Sequence, residues 1–389
     1  MKFLILSCGT GEGHNSAAKA VIENLTDKGH SCVFIDPITL KSQKASNIVA
    51  GAYNGLIRKA PRAFGFVYKL GALYDATRLP SPVYWANAKY ADELYSLIKE
   101  EGFDAVISTH LYSMLAITAA RKKYSLNIPV FGVLTDYTVI PFFRDAKLDL
   151  YFVPTETATE ELGVRGVPKE KVYVTGIPVS KNFSHPMEKS EARRLLGIPS
   201  DKKIAVILSG GAGCGKQLKL TKSLLKSTDG NTLLYVFSGK NEKLKEKLSK
   251  LENVSERVKT VPFTPDVHLY VASADVVLSK PGGLSSTEIA TANVPLVHLH
   301  EIPGCESANI RYFTSHGLSL PGRSVKKATA AAKRLLEDAD AVSQMKENQK
   351  RVLPADPSED ISRIIFDYME KRRKERELEG NNSLDNTDI

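Results

Sequence analysis

Two doubly wound α/β domains in tandem are the fold that this sequence of 389 residues predicts. Three observations point there. A strand, a Gly-rich turn and an amphipathic helix open the chain. The same design restarts near residue 200, and short apolar runs alternate with helical segments throughout. Strands alternating with helices build parallel sheets with crossover helices, and two restarts make two domains.

The first unit runs from an apolar strand at 2–8 through the loop Gly9-Thr10-Gly11-Glu12-Gly13-His14. A helix follows, with Ala18, Val21, Ile22 and Leu25 on one face and Gly29 as its stop. Further strands are expected at 32–35, 105–108, 130–134 and 150–153. The Pro- and charge-rich stretch 175–199 reads as the connection, which gives an N-terminal domain over 1–178 and a linker over 179–199. The second unit has a strand at 204–208, the loop Ser209-Gly210-Gly211-Ala212-Gly213, and a helix lined by Leu220, Leu224 and Leu225. Strands at 233–237, 276–278 and 296–299 complete a second domain over 200–354. Ile361, Ile364, Ile365, Tyr368 and Met369 mark a last amphipathic helix over 355–376. The polar tail at 377–389 is expected to be disordered.

Composition narrows the class. With 42% hydrophobic and 25% charged residues, the balance is that of a globular protein. No apolar run is long enough for a membrane-spanning helix. The N-terminal MKFLILSCG runs straight into a Gly-rich turn and reads as a buried strand, not a signal peptide. Cys8, Cys32, Cys214 and Cys305 stand isolated, which gives no disulfide framework and favours the cytoplasm. The net charge of +9 suggests an anionic partner. It is concentrated at 41–90, where eight basic residues, Arg58, Lys59 and Arg62 among them, face one acid, Asp75. Eight aromatics, including Trp85, share that stretch. A solvated helical face is the plain explanation. A dock for an anionic membrane surface is the sharper one, since amphipathic rings settle at headgroup level beside cations. No nucleic-acid motif accompanies the charge.

Glycines at a strand-to-helix turn let phosphate approach backbone N–H groups at the positive end of a helix. The first loop is G-x-G-x-G-H, with His14 where a dinucleotide fingerprint needs its third glycine, although Asp36 could serve as a ribose acid. The second, Gly210-x-x-x-x-Gly215-Lys216, matches a P-loop except that Gln217 replaces the hydroxyl residue that holds magnesium. The strongest signal is SKPGGLSSTE at 279–288, a Pro-Gly-Gly turn into a helix with Glu288 in its first turn. Ser285-x-x-Glu288 alone reads as a capping box. The polar turn Ile302-Pro303-Gly304-Cys305-Glu306-Ser307-Ala308-Asn309 follows the next strand, and two such turns at successive strand ends mark a ligand crevice.

GEGH near the N-terminus, the KPGG…TE turn and the PGxE..N loop together resemble the family 28 glycosyltransferases of the GT-B fold. The subgroup is that of the monogalactosyldiacylglycerol synthases and processive diacylglycerol glucosyltransferases. The lipid-II N-acetylglucosaminyltransferase is a more distant relative. The resemblance runs from Lys2 to about Gly317 and implies two Rossmann-like domains facing across a cleft. It also implies a UDP-glucose or UDP-galactose donor held by the C-terminal domain, with no tightly bound cofactor. Glu288 would hold the ribose, and the uracil would lie near Phe263 after a strand at 258–261. The diphosphate would sit over Gly210, Gly211, Ala212 and Gly213 and the turn Gly282-Gly283. Cys305, Glu306 and Asn309 would face the sugar, although relatives carry Gln where this chain has Cys305.

On the acceptor side the resemblance makes His14, behind Gly11 and Gly13, the group that activates the acceptor hydroxyl. Its place in the first turn of a helix keeps it neutral through the dipole. Asp136 is the second candidate base or the carboxylate that orients His14. Plant relatives have a His near Ile140-Pro141, which leaves Asp136 or His110 as helpers here, His110 being the more structural. The implied reaction is an inverting transfer to diacylglycerol at the inner face of the cell membrane. No D-x-D metal motif is present and no divalent metal is expected. A polyprenyl-linked acceptor, or an inactive nucleotide-sugar-binding module of the same fold, stays open.

Overall fold

A computed structural model describes residues 1–9, 12–41, 71, 74, 79–208, 210, 216–300 and 304–384. Two six-stranded sheets form its two domains. The N-terminal sheet comprises β1 (Lys2–Leu6), β2 (Ser31–Ile35), β3 (Ala105–Ser108), β4 (Val130–Val133), β5 (Leu150–Val153) and β6 (Val172–Val174), in the order β2-β1-β3-β4-β5-β6. The C-terminal sheet comprises β7 (Lys203–Ile207), β8 (Thr232–Gly239), β9 (Val258–Pro262), β10 (Val276–Ser279), β11 (Leu296–His298) and β12 (Leu320–Pro321), in the order β12-β11-β10-β7-β8-β9. Every recorded pairing is parallel.

Helices cover both faces of each sheet, so the central strands are apolar along their whole length. Phe3, Leu4, Ile5 and Leu6 of β1 are fully buried, and so are Ile204, Ala205, Val206 and Ile207 of β7. Strand order reverses beside β1 in one domain and beside β7 in the other. Ligands of doubly wound sheets bind outside the carboxyl ends of the strands at such switch points. His14 follows β1, Thr109 follows β3 and Thr135 follows β4. In the other domain Gly210 follows β7 and Gly283 follows β10.

The stretch expected as a linker is folded. It contains the helices Lys181–Ser184 and Lys189–Leu195, and Arg193 donates to the Ser273 carbonyl at 3.0 Å and to Asp275 at 2.8 Å in the C-terminal domain. The chain crosses back near residue 355, and the two crossings touch. A Cβ on Gly176, whose φ is +86°, would meet Cγ of Pro354 at 2.9 Å and of Pro357 at 3.1 Å.

The last helix, Pro357–Leu384, lies on the N-terminal domain and continues past residue 376, where the sequence reading ends it. Ile361 and Ile365 are fully buried with Phe3, Ile5, Phe131 and Phe152. Ser362 donates to Asn24 Oδ1 at 2.6 Å, and Lys28 reaches Glu359 at 2.9 Å. Among the described residues no helix is long and apolar enough to cross a membrane.

Candidate functional site

The two switch points face each other, and His14 stands between them as the third residue of the helix Glu12–Asp27. Its Nδ1 lies 3.1 Å from the Thr109 carbonyl and 2.6 Å from Thr135 Oγ1. Thr109 Oγ1 in turn donates to the His14 carbonyl at 3.0 Å. A carbonyl oxygen only accepts, so the Thr109 contact places a proton on Nδ1 and leaves Nε2 with its lone pair. Burial lowers the His14 pKa, while the Asp136 carboxylate and the Thr109 carbonyl pull it back up. The ring is thus held neutral near pH 7. The helix dipole was the expected reason; desolvation is the leading one.

His110 is the N-cap of the helix Leu111–Tyr124, where its Nδ1 accepts from the Tyr112 N–H at 3.1 Å. Its ring packs edge-on against His14 with centroids 4.5 Å apart. Asp36 is committed as well: its carboxylate accepts the N–H groups of Gly9 at 3.1 Å and Ile38 at 3.0 Å. Asp36 thus braces the first loop with the oxygens a ribose would need.

Asp136, just past the end of β4, touches both domains. Burial raises its pKa; His14, the Asn309 amide and Lys280 oppose that shift, and Glu306 adds to it. Asn309 is wholly buried. Its Nδ2 donates to Asp136 Oδ1 at 2.8 Å and to the Pro281 carbonyl at 3.0 Å, and its Oδ1 accepts the Tyr137 N–H at 2.8 Å. Beside it Lys280 Nζ reaches Glu306 at 3.0 Å. Burial keeps the Cys305 thiol protonated, and the Asp136 and Glu306 charges act in the same direction. An apolar pocket opens next to His14 and Asp136, walled by Leu111, Met114, Leu134, Ile140 and Phe143.

The Pro-Gly-Gly turn departs from the expected capping box. Helix Gly283–Thr291 starts at Gly283 with Gly282 as its N-cap, so Ser285 is its third residue and Glu288 lies in the second turn. Gly282, as N-cap, has no side chain to cap this N-terminus. Burial pushes the Glu288 carboxyl up to about 8, and it has no hydrogen-bond partner among the described residues. Gly283 meets the other domain at close range: a Cβ there would lie 2.1 Å from the Thr135 carbonyl oxygen. Gly13 faces the same helix, its Cβ position 3.6 Å from Leu284 Cβ.

Phe263, following β9, is 56% exposed, with the Lys240 ammonium 5.0 Å above its ring. Lys240 also spans the cleft to Glu12 at 3.3 Å. Gly210 has φ +66° and approaches Lys280 Cε to 3.1 Å from its Cβ position, so both its backbone and its surroundings suit glycine. Trp85, on the helix Pro82–Ala88 of the N-terminal domain, is 61% exposed. Gly11, Arg58, Lys59, Arg62, Gly211, Ala212 and Gly213 lie outside the described residues.

His14, Asp136, Gly283, Cys305, Glu306 and Asn309 therefore form one cluster. Sequence reasoning missed Thr109 and Thr135, which hold the His14 ring, and gave Lys280 no role. A Thr directly before the singled-out Asp136, and a Lys opening the KPGG turn, were the available signals.

Comparison with known proteins agrees with this architecture. Residues 14–179 match the monogalactosyldiacylglycerol (MGDG) synthase family, and residues 189–352 match glycosyl transferases group 1. A processive diacylglycerol beta-glucosyltransferase of Bacillus pumilus (strain SAFR-032) is 28% identical over 356 residues, covering 90% of each chain. The protein of the same name from Bacillus cytotoxicus is 29% identical over 369 residues, covering 94% of this chain and 93% of its own. Among solved structures, Acinetobacter baumannii MurG superposes with a TM-score of 0.61 at 16% identity, over 95% of this chain and 99% of its own. UDP-N-acetylglucosamine 2-epimerase from Neisseria meningitidis, bound to UDP-GlcNAc, gives 0.63 at 14% identity, over 94% of this chain and all of its own. At that identity the structures speak for the fold alone, and the fold they share is two facing doubly wound domains. With a glycosyltransferase family matched in each half, similar to the MGDG synthases in the first and to group 1 glycosyl transferases in the second, the chain is a glycosyltransferase of the GT-B fold.

Proposed function

We propose that this chain transfers a hexose from a UDP-sugar to the hydroxyl of diacylglycerol, with inversion at the anomeric carbon. The curated relatives across nearly the whole chain are named for diacylglycerol and for glucose, which makes UDP-glucose the first donor to test. The observation that carries the mechanism is the His14 ring, whose Nδ1 faces a carbonyl oxygen while Nε2 keeps its lone pair. In a single displacement the acceptor oxygen attacks the anomeric carbon. The bond from that carbon to the β-phosphate oxygen breaks and UDP leaves with its electron pair. Nε2 takes the hydroxyl proton, and ionised Asp136 stabilises the imidazolium that results.

The donor lies on the C-terminal domain in this reading. Glu288, which has no hydrogen-bond partner among the described residues, accepts the ribose hydroxyls, and the base lies against Phe263. The diphosphate meets the Gly210 loop and the uncapped N-terminus at Gly283, where helix N–H groups favour negative charge. Lys280, a cation beside both, adds to that field. The cavity walled by Leu111, Met114 and Phe143 is about 20 Å³, so it lines the approach to His14 with apolar side chains without room for an acyl chain. Exposed Trp85 and the basic stretch containing Arg58, Lys59 and Arg62 dock the enzyme on the anionic inner face of the membrane.

UDP release from the purified protein tests this, with UDP-glucose, UDP-galactose or UDP-N-acetylglucosamine and with or without diacylglycerol in anionic liposomes. Lipid-dependent release from one hexose donor is expected. UDP binding without release from any donor would refute the transferase reading for this acceptor. His14→Ala should lose most of kcat while still binding UDP, and unchanged turnover would remove His14 from the mechanism.

A further inference from the structure

We infer that Asn309 is a positioning residue that holds Asp136 against His14 from the opposite domain, so that the base is assembled only when the cleft is closed. This rests on the reading of His14 and Asp136 given above. The carboxamide is fully buried, and both its donors and its acceptor are engaged. Two of its three bonds cross the domain boundary to consecutive residues, Asp136 and Tyr137, and the third ties it to Pro281 in its own domain.

The rest of the dipeptide is seated in the same way. Tyr137 is buried in a cluster otherwise made largely of C-terminal-domain side chains, Leu284, Ile289 and Phe313 among them. Its hydroxyl lies 2.8 Å from Thr287 Oγ1, which itself donates to the Gly283 carbonyl at 2.8 Å. Its ring stacks on Tyr312 with centroids 4.4 Å apart. Asp136-Tyr137 is therefore a plug from the acceptor domain, and the helices starting at Gly283 and Cys305 form its socket. Both N–H groups of the amide are used here, and its oxygen, which accepts from Tyr137, is buried away from the cleft surface.

The consequence is electrostatic as well as geometric. Asp136 faces His14 from the helix Glu12–Asp27, Glu306 and Cys305 from the helix Cys305–Ser315, and Lys280 from the turn after β10. Burial and Glu306 favour its protonated form; His14, Lys280 and the Asn309 N–H favour the carboxylate. Without that N–H, Asp136 binds its proton more tightly, and the acid limb of kcat moves to higher pH.

The test compares pH profiles and donor KM for Asn309→Ala, Asn309→Asp and Asp136→Asn in the full-length enzyme with diacylglycerol liposomes. For Asn309→Ala we expect kcat to fall roughly tenfold at pH 7, since a shifted base loses its alignment. Its acid limb should rise by about half a unit or more, with donor KM nearly unchanged. Asn309→Asp, close in shape and able to carry the test should the alanine variant not fold, should move the limb further, because a second carboxylate replaces a donor. A raised donor KM with an unmoved acid limb would overturn the inference and return Asn309 to sugar recognition. Full turnover by Asp136→Asn would instead overturn the reading of Asp136 as the carboxylate that stabilises the His14 imidazolium, whatever Asn309 does.

Discussion

Gly283 and Thr135 meet across the cleft so closely that a single added carbon would sit 2.1 Å from the Thr135 carbonyl oxygen and 2.9 Å from Asp136 Oδ1. The obstructing atom is backbone, which cannot swing aside as a long side chain can. Gly283 is the first residue of a helix and has an ordinary φ, so its own backbone would accept alanine. Gly283→Ala should therefore leave the C-terminal domain folded but prevent closure. Expected are a rise in radius of gyration by small-angle scattering and a loss of turnover of roughly tenfold or more, as for misplaced catalytic groups. Wild-type turnover would mean that the approach of the two domains is not needed for reaction.

Glu288 should link UDP binding to protons. Burial pushes its carboxyl up to about 8 from an ordinary 4.5, so near neutral pH the ligand-free protein holds a proton there that the unfolded chain does not. The sign follows: a raised carboxyl pKa costs stability as pH climbs from 4.5 through 8. Glu288→Gln removes that cost and should raise the Tm of the ligand-free protein at pH 8. A ribose donating to the carboxylate favours the charged form, so UDP binding at pH 7 should release protons. Calorimetry in buffers of different ionisation enthalpy measures them, and the release should vanish in Glu288→Gln, with UDP affinity weaker by about 1–3 kcal/mol. Buffer-independent heats would remove Glu288 from the ribose site.

His298 should make the fold acid-sensitive. It is completely buried at the end of β11, with Ser286 Oγ 2.8 Å from Nε2 and Ser319 Oγ 2.9 Å from Nδ1. Hydroxyls donate and accept, so they satisfy a neutral ring, and burial pushes its pKa down to about 3. The unfolded chain takes up a proton below about 6.5 that the folded protein refuses, and stability is lost as pH falls from 6.5 towards 3. His14 and His110 are lowered by burial in the same sense. Between pH 7.5 and 5.5 the Tm should fall, and fall less steeply in His298→Gln. Equal slopes would show that His298 does not titrate on unfolding in that range.

What could be read in advance follows from which forces are local. Buried parallel strands are unbroken apolar runs, so 105–108 and 150–153 were legible to the residue. The edge strands Val172–Val174 and Leu320–Pro321 are two or three residues long and partly exposed, and carry no such run. Ser285-x-x-Glu288 fits a capping box, yet the helix begins at Gly283, in contact with Thr135, a residue 148 positions earlier in the chain. The partners of Asn309 are equally remote in sequence. The last helix outruns its apolar stripe because strong helix formers continue it, and pairs such as Glu370–Lys374 at 2.7 Å support the charged turns.

Membrane attachment has its own readout. Leu79 and Trp85 are 64% and 61% exposed within the stretch 41–90, which carries most of the chain's net positive charge. Each cation near an anionic leaflet contributes about 1 kcal/mol, so reversing Arg58, Lys59 and Arg62 to Glu should cut sedimentation with anionic liposomes by roughly tenfold or more. Trp85→Ala should weaken binding to neutral vesicles too, because its ring does not depend on lipid charge. Added salt should mimic the charge reversal but not the Trp85 substitution. Binding that survives both changes would place the membrane contact elsewhere on the protein.

The C-terminal helix should behave as part of the N-terminal domain, although the whole C-terminal domain separates the two in sequence. Ile361 and Ile365 fill the layer between the first helix and the sheet strands carrying Phe3, Phe131 and Phe152, and neither is exposed at all. Truncating such a side chain costs about 2–5 kcal/mol, a large share of a domain's stability. Ile365→Ala should therefore lower the Tm of the N-terminal domain and leave UDP affinity unchanged, since the side chains proposed to hold the donor lie on the other domain. Differential scanning calorimetry with and without UDP separates the two: the nucleotide should shift one transition and the substitution the other. A loss of UDP affinity in Ile365→Ala would show that the helix supports both domains, through the contact of Gly176 with Pro354 and Pro357 where the chain crosses between them.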